Sequence, residues 1–510
     1  MSLLGLDVGT TGAKGVAFDL EGKPIAQAYR EYPLHSPKPG WLELDPDQVW
    51  QLVRDVLSEI ASKTRHDPIR AMAISSQGEA VHAVDKTGAC LTHSPVTFDA
   101  RTAEIPAWWL ERKSRYDLAF ISGMPLHGMY SLNKILWFKQ NQPDVFAKTW
   151  KWMCYEDFVQ FRLGVTPTMS HSLAARTMAL DARQGKWSNE LLDIADVPVE
   201  MLPDTKPSGA ALGTIPDAVA TEIGLPRGIV VSTGGHDQPA GALGAGIFAS
   251  GEAVYATGTV DCICPIFDNY AVTKQTVAAN LCCYPSCVPG LFASIAFNFT
   301  GGSLLKWYRD TFAGEERRLA AESGRDVYEV LCGNIPDFPE NLIILPHFTV
   351  TGTPYFDTAS RGAILGLTLN TTREEIVSAI LSGVTYEMKL NLEVLQSAGT
   401  GITRLRAIGG GAKSRIWIQR KADIMGVPVA VLATTEAAAL GVALLAGHAA
   451  GLVRDVRAAL ASAVRIEYVC DPDPLRSREY EKRYNVYRDV YGSLKDINHR
   501  LAAFDRQAQA

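Results

Sequence analysis

Ser232-Thr233-Gly234-Gly235-His236-Asp237-Gln238-Pro239-Ala240-Gly241-Ala242-Leu243-Gly244-Ala245-Gly246 lies near the middle of a chain of 510 residues. The β-branched run Ile229-Val230-Val231 leads into it and reads as a buried strand. The Ala/Gly-rich segment leading out is compatible with a helix. Asp237 therefore stands where a strand hands over to a helix. The two glycines just before His236 let the backbone turn sharply and approach a ligand closely. In isolation such an acid reads first as a helix N-cap, so the rest of the chain must decide its role.

The start of the chain has a related grammar. Leu3–Leu6 is an apolar run ending in Asp7-Val8-Gly9-Thr10-Thr11-Gly12-Ala13-Lys14-Gly15, and Val16–Asp19 and Pro24–Ala26 read as two further strands. The pattern is strand, Gly/Thr hairpin, strand, turn, strand. It is not a Gly-x-x-x-x-Gly-Lys-Ser/Thr phosphate loop, because that spacing is absent and no helix follows at once. A Gly/Thr tip still offers converging N–H groups, hydroxyl donors and the nearby cation Lys14, which suits phosphate as well as it suits a bare hairpin. Asp7, at the strand end, has the chemistry to hold Mg²⁺ directly or through water.

Past Gly246 the pattern restarts. Ala253–Thr259 is a strand into a second Gly/Thr turn, Thr257-Gly258-Thr259, and Val260–Phe267 is a strand back. A third glycine-rich turn, Gly409-Gly410-Gly411, follows the strand Arg404–Ile408 and precedes a helix, Arg415–Met425. Two similar α/β domains are expected, 1–246 and 247–510, each presenting a hairpin to a common cleft. Between these marks a helix is expected over Asp47–Lys63, capped by Asp45 with Pro46 at its first position. Val96–Arg101 reads as a strand, Thr102–Tyr116 as helical, and the small, polar Thr166–Asp181 as more loop than core. Glu436–Gly447 reads as a helix of small residues that permits close packing. Beyond Pro474 an exterior helix should pack Tyr480, Tyr484, Tyr487 and Tyr491 on the body.

Composition narrows the class. Apolar residues are 47% and charged residues 20%, and the net charge is −6 with no long basic block. That favours neither nucleic acid nor an anionic membrane as partner. Nine cysteines without paired spacing read as buried thiols in a reducing cytoplasm, and a zinc site is not expected. Met1–Leu6 is too short for a leader, and Ala437–Gly447 falls short of the roughly 20 residues that span a bilayer. A soluble, cytoplasmic protein is expected.

The ordered set of motifs resembles the FGGY family of carbohydrate kinases, within the sugar kinase/actin/heat-shock ATPase superfamily, over about residues 3–490. It comprises Asp7–Thr11, Gly234–Gln238, Thr257–Thr259, Gly301-Gly302-Ser303-Leu304 before Trp307, Arg361-Gly362 with Gly366-Leu367, and Gly409–Ser414 with Trp417, Gln419 and Ala422-Asp423. The resemblance implies two ribonuclease-H-like domains of actin/hexokinase type flanking a cleft, with sugar mainly on the first and ATP on the second. It implies transfer of the ATP γ-phosphoryl group to a hydroxyl, with Asp237 as the base that takes the hydroxyl proton and Asp7 beside Mg²⁺. Thr10, Thr11 and Lys14 resemble the first phosphate hairpin, and Thr257, Gly258 and Thr259 the second, with Gly302 near the phosphates. Gly410, Gly411 and Ala412 resemble the adenosine contact. A homodimer is the family's expectation. Phosphoryl transfer needs in-line placement, charge neutralisation and a proton acceptor, and domain closure excludes competing water.

The acceptor is read from Gln77-Gly78-Glu79, which occupies a substrate-binding place in the family. Xylulose-phosphorylating members carry Met-His-Gly there and glycerol-phosphorylating members Gln-Arg-Glu; this chain matches neither pattern. Gln77, Glu79 and Tyr130 are similar to the glycerol pattern, whereas Gly409–Asp423 is similar to the xylulose one. Gly78 is expected to leave room that an Arg would fill. D-xylulose, converted to its 5-phosphate in xylose metabolism, is therefore the expected substrate, with glycerol or another polyol or ketose as the alternative. Gln77, Gly78, Glu79, Arg101, Tyr130 and Gln238 are the candidate sugar contacts. Asp99 can simply pair with Arg101, and His236 reads as a packed, satisfied histidine. A non-catalytic ATP-binding regulator and an actin-like assembly protein share the fold and form the competing class.

Overall fold

The structure is a computed structural model and describes residues 1–336, 341–434 and 436–509. Two mixed sheets dominate it. The first joins β1 (Ser2–Val8), β2 (Gly12–Phe18), β3 (Pro24–Glu31), β4 (Ile69–Ser76), β5 (Ala211–Thr214) and β6 (Val230–His236) in the order β5-β6-β4-β1-β2-β3. β1 and β2 form an antiparallel hairpin that pairs Asp7 with Lys14, while β1, β4 and β6 run parallel.

The second sheet repeats this plan. It joins β7 (Glu252–Thr257), β8 (Asp261–Phe267), β9 (Tyr284–Pro285), β10 (Phe292–Ala293), β11 (Ala296–Asn298), β12 (Arg404–Ile408), β13 (Val429–Leu432) and β14 (Ile466–Cys470) in the order β9-β10-β8-β7-β12-β13-β14, with β11 also on β8. Its hairpin β7–β8 pairs Thr257 with Asp261, and β7, β12 and β13 run parallel. The echo between residues 7–18 and 253–267 is thus a repeat of architecture.

Helices cover both faces of each sheet. α1 (Pro46–Lys63) is capped by Asp45, whose carboxylate accepts the N–H groups of Asp47 and Gln48. It packs on the face that carries Leu4, Leu6 and Val8. The alternate face, with Leu3, Val16 and Phe18, meets α2 (Asp237–Gly244) and a helix from the far end of the chain. On the second sheet, α4 (Arg373–Ser397) and α5 (Arg415–Met425) bury one face against Ala253, Tyr255, Leu405 and Val429. A further helix, α3 (Gly302–Phe312), starts beside the second hairpin. That distant helix on the first sheet is α6 (Ala437–Ala449), built almost wholly of small or aliphatic residues. α7 (Pro474–Gln509) lies outside and buries Tyr480, Tyr484 and Tyr487 against Tyr386 and Ile424. Among the described residues, no helix is long and apolar enough to cross a membrane.

Three local expectations are corrected. Val96–Arg101 is not strand: the nearby strand is Ser94–Pro95, and the Asp99 carboxylate folds the following segment into a turn by accepting the N–H groups of Leu42 and Arg101. Thr102–Tyr116 is not one helix. Ile105–Leu110 ends early, and Ser114 caps a second helix, Arg115–Ser122, by accepting the Asp117 N–H. Thr166–Asp181 is core rather than loop. Its polar groups are buried because they are paired, as Thr168 N–H is to Gln160, Ser170 to Glu156 and Thr177 to the Ala174 carbonyl.

α2 and α6 approach as closely as backbones allow, and glycines make this possible. A Cβ on Gly244 would collide with the Ala437 carbonyl, one on Gly5 with the Ala439 carbonyl, and one on Gly441 would lie 2.7 Å from the Ala240 oxygen. Gly5→Ala and Gly244→Ala should each lower the thermal unfolding midpoint and remove about 2 kcal/mol or more, since overpacking against backbone cannot relax through a side chain. Gly492→Ala, in α7 with nothing near its added methyl group, should instead stabilise by about 0.5–1 kcal/mol.

Candidate active site

Both interface helices point their N-termini into one cavity of about 220 Å³, lined by Asp7, Asp237, Gln238, Thr257, Gly258, Gly409, Glu436 and Ala437 among others. The strand-to-helix turn at the chain's middle thus faces both hairpins. Asp237 is not the N-cap of α2. His236 takes the cap position, and Asp237 is the first helical residue. Its Oδ1 is buried with no hydrogen-bond partner, while 32% of the side chain stays exposed. Burial, then the charges of Asp7 and Glu79, push the carboxyl up to about 7. The glycine turn behind it is held by Glu156, which accepts the Gly234 N–H at 2.7 Å and the Ser170 hydroxyl at 2.7 Å. Nothing in the sequence pattern marked Glu156.

Asp7 accepts one bond, from the Ser75 hydroxyl at 2.8 Å. Burial and the nearby Glu436 push its carboxyl up to about 6. Two under-compensated carboxylates in one cavity are a site short of positive charge. Among the described residues no cluster of three metal-ligating side chains occurs. That donor set fits Mg²⁺ held by one carboxylate, water and phosphate oxygens rather than by a protein cage. Lys14 does not supply the missing charge freely, because its Nζ lies 2.5 Å from Glu436 Oε1.

The first hairpin is braced by Gln77. Its side chain donates to the Gly9 carbonyl at 3.0 Å and accepts the Thr10 hydroxyl at 2.9 Å, while Thr11 is exposed at the tip. Gln77 therefore stands with the first hairpin rather than with the other proposed sugar contacts. In the second hairpin the Thr257 hydroxyl is buried. It accepts from Lys421 Nζ at 2.7 Å and is covered by Gly411, where a Cβ would strike it. Lys421 is itself fully buried and paired with Asp261 at 2.9 Å. Gly258 and Thr259 remain open, and their carbonyls hold the first N–H groups of α3, including Gly302 to Gly258 at 2.7 Å. Gly410 has nothing within 4 Å of an added Cβ, so its backbone is free to meet a flat base. Ala412 is buried.

Across the cleft, Glu79 gathers a buried polar cluster. It adopts a left-handed backbone, φ 65°, which is rare for a residue with a side chain. Its carboxylate accepts Arg176 Nε at 2.5 Å and the Thr97 hydroxyl at 2.8 Å. Its carbonyl accepts Ser131 Oγ at 3.0 Å and Lys134 Nζ at 2.9 Å. Such over-determination is what holds a strained residue in place. Tyr130 is buried beside it, with the Arg176 guanidinium 5.3 Å from the ring. Arg101 is not a surface ion pair. It is clamped by Asp99 at 2.7 Å and Glu43 at 2.6 Å and stacks on Trp41.

Gly78 does not leave an empty space. A Cβ there would lie 2.9 Å from His236 Nε2 and 3.3 Å from Arg176 Cγ. The expectation of extra room is corrected, because those side chains already fill it. Besides Glu156, the sequence reading missed Arg176 and Lys134. The first lies in the stretch taken for a loop, and the second is a lysine inside a helix whose burial (which lowers it to about 8) no spacing announces.

Sequence comparison finds the N-terminal domain of the FGGY family of carbohydrate kinases over residues 2–244 and its C-terminal domain over residues 253–450. A xylulose kinase of Bacillus subtilis (strain 168) is 26% identical over 505 residues, covering 98% of this chain and 99% of that one. A glycerol kinase of Polaromonas naphthalenivorans is 28% identical over 475 residues, covering 88% and 91%. The crystal structure of ligand-bound xylulose kinase from Lactobacillus acidophilus superposes with a TM-score of 0.88 at 25% identity, covering 97% and 98%.

Removing one member of the buried Arg176–Glu79 pair should be severe. Arg176→Met leaves a carboxylate stranded in the core and should cost about 3–5 kcal/mol in urea unfolding. Adding Glu79→Gln should recover part of that loss; no recovery would separate the two residues energetically.

Proposed function

Because the chain belongs to the FGGY family of carbohydrate kinases, an ATP-dependent sugar kinase family, we propose that its substrate is D-xylulose and its product D-xylulose 5-phosphate. We take residues 1–246 as the sugar-binding unit and 247–510 as the ATP-binding unit. The observation that carries the mechanism is Asp237 at the head of α2. There it is raised to about 7 and shares a cavity with Asp7 and the second hairpin. A carboxylate with that affinity for a proton is suited to take one from a sugar hydroxyl at neutral pH.

In this reading the sugar binds against Glu79, Tyr130 and Gln238. The Gly9–Gly12 and Gly258–Thr259 turns cradle the phosphates, and Gly410 and Gly411 receive the adenosine. The hydroxyl oxygen attacks the γ-phosphorus in line, Asp237 accepts the proton, and ADP leaves. Mg²⁺, when bound beside Asp7, neutralises phosphate charge. The choice of D-xylulose rests on full-length likeness to xylulose kinases and on the Gly409–Asp423 stretch. The Gln77 and Glu79 pair keeps glycerol as the second reading.

Asp237→Asn should lower sugar-dependent ADP release by about a hundredfold or more, while ATP affinity, measured by calorimetry, stays within about twofold. In the parent enzyme kcat/KM should fall as pH drops below about 7, because the base is lost on protonation. A flat profile through that range, with Asp237→Asn still active, would remove Asp237 from the role. The acceptor is tested by the same assay over D-xylulose, ribulose, glycerol, erythritol and gluconate. The highest kcat/KM is expected for D-xylulose, and a preference for glycerol would overturn the assignment. ATP-dependent filaments seen by light scattering, with no sugar-stimulated turnover, would point to an assembly protein instead.

A further inference from the structure

His236 is more than a packed histidine. Its Nδ1 lies 3.0 Å from the Tyr284 hydroxyl, and its Nε2 lies 3.2 Å from Asp237 Oδ1. Its backbone N–H donates to Ser172 Oγ at 3.1 Å. The ring is buried, with Gly78 against Nε2. Asp237 Oδ1 is a buried acceptor to which no hydrogen bond is made, and His236 Nε2 faces it at 3.2 Å. Tyr284 sits on β9 of the second sheet, so the imidazole bridges an acid of the first unit and a phenol of the second.

A neutral imidazole has one donor and one acceptor nitrogen. Burial, aided by the Arg176 charge, keeps His236 neutral. With the proton on Nδ1, a bare Nε2 lone pair would face the Asp237 carboxylate. With the proton on Nε2, Tyr284 O–H donates to Nδ1 and Nε2–H faces Oδ1 at 3.2 Å, so a small rotation of the carboxylate satisfies every group.

We propose that His236 is a positioning residue for phosphoryl transfer: fixed by Tyr284 as the Nε2–H tautomer, it donates to Oδ1 of Asp237 and leaves Oδ2 as the oxygen that accepts the sugar proton. The proposal deepens the assignment of Asp237 as base and rests on it. One hydrogen bond to a charged group, lost, corresponds to about a ten- to hundredfold change.

Two readouts test it. With nitrogen-labelled histidine, NMR of the intact protein should show His236, assigned by its loss in His236→Gln, as a single neutral Nε2–H tautomer that becomes mixed in Tyr284→Phe. The Nδ1–H tautomer in the parent protein would overturn the proposal whatever the enzyme's substrate proves to be. With D-xylulose and ATP, His236→Ala should lower kcat about ten- to a hundredfold with KM for ATP unchanged, and His236→Gln, which keeps an N–H donor, should recover part of it. Tyr284→Phe should lower kcat in the parent and add little on top of His236→Ala. Independent, multiplicative effects, or an unchanged kcat in His236→Ala, would sink the positioning role. The turnover of Asp237→Asn separately tests the base, so failure of the two readings is told apart.

Discussion

The contact between α2 and α6 is the constraint on which the rest depends. A helix from the middle of the chain and one about 200 residues later meet backbone to backbone, with Gly244 under Ala437 and Gly441 under Ala240, and α6 lies directly on Gly5 of the central strand. A single methyl group at these points would force the two helices, or α6 and the first sheet, apart. The closeness has a chemical result. It brings the first residue of α2 (Asp237) and the residue before α6 (Glu436) to the same cavity, opposite the second hairpin. The packing of small residues and the placing of charges are one arrangement.

The two walls of the cleft solve opposite electrostatic problems. On one side, Asp7 and Asp237 are left with few donors, so both carboxyls rise toward neutral pH and the cavity favours a cationic or donor-rich visitor. On the other side, Glu79 accepts from four donors on three elements in a strained backbone. The first wall is built to change its protonation and the second to keep its shape. Lys421 extends the second principle to the far hairpin. As a pure donor it fixes Thr257 from beneath the glycine turn.

Much of this was legible in the residues. The strand and hairpin grammar around Gly9 and Gly258, the capped helix after Asp45, the helix Arg415–Met425 and the small-residue helix near Gly441 follow from spacing and turn chemistry, which are local. The same is true of Asp237 at a strand-to-helix junction. What escaped was non-local. Small polar residues between Thr166 and Asp181 look like loop until their partners, Glu156 and Gln160, are brought against them from the preceding helix. Arg176 and Lys134 gain meaning only when the fold delivers Glu79. Gly78 misled for the same reason, since an absent side chain says nothing about what else fills the space. A hydroxyl such as that of Thr257 can likewise be placed on the right turn and still face inward.

The contact between Gly78 and His236 carries a historical consequence. With a Cβ at 78 only 2.9 Å from the imidazole, a lineage cannot enlarge position 78 while His236 stays in place. Nor does shrinking 236 first cost nothing, for it strips the neighbouring acid of the imidazole nitrogen that faces its Oδ1 at 3.2 Å. The two sites are therefore epistatic. Routes between sequences of this kind and those with a bulky residue at 78 must cross a poorly active intermediate or change both at once. Such a step tends to keep related enzymes with different acceptors apart, even when the remainder of the chain drifts freely.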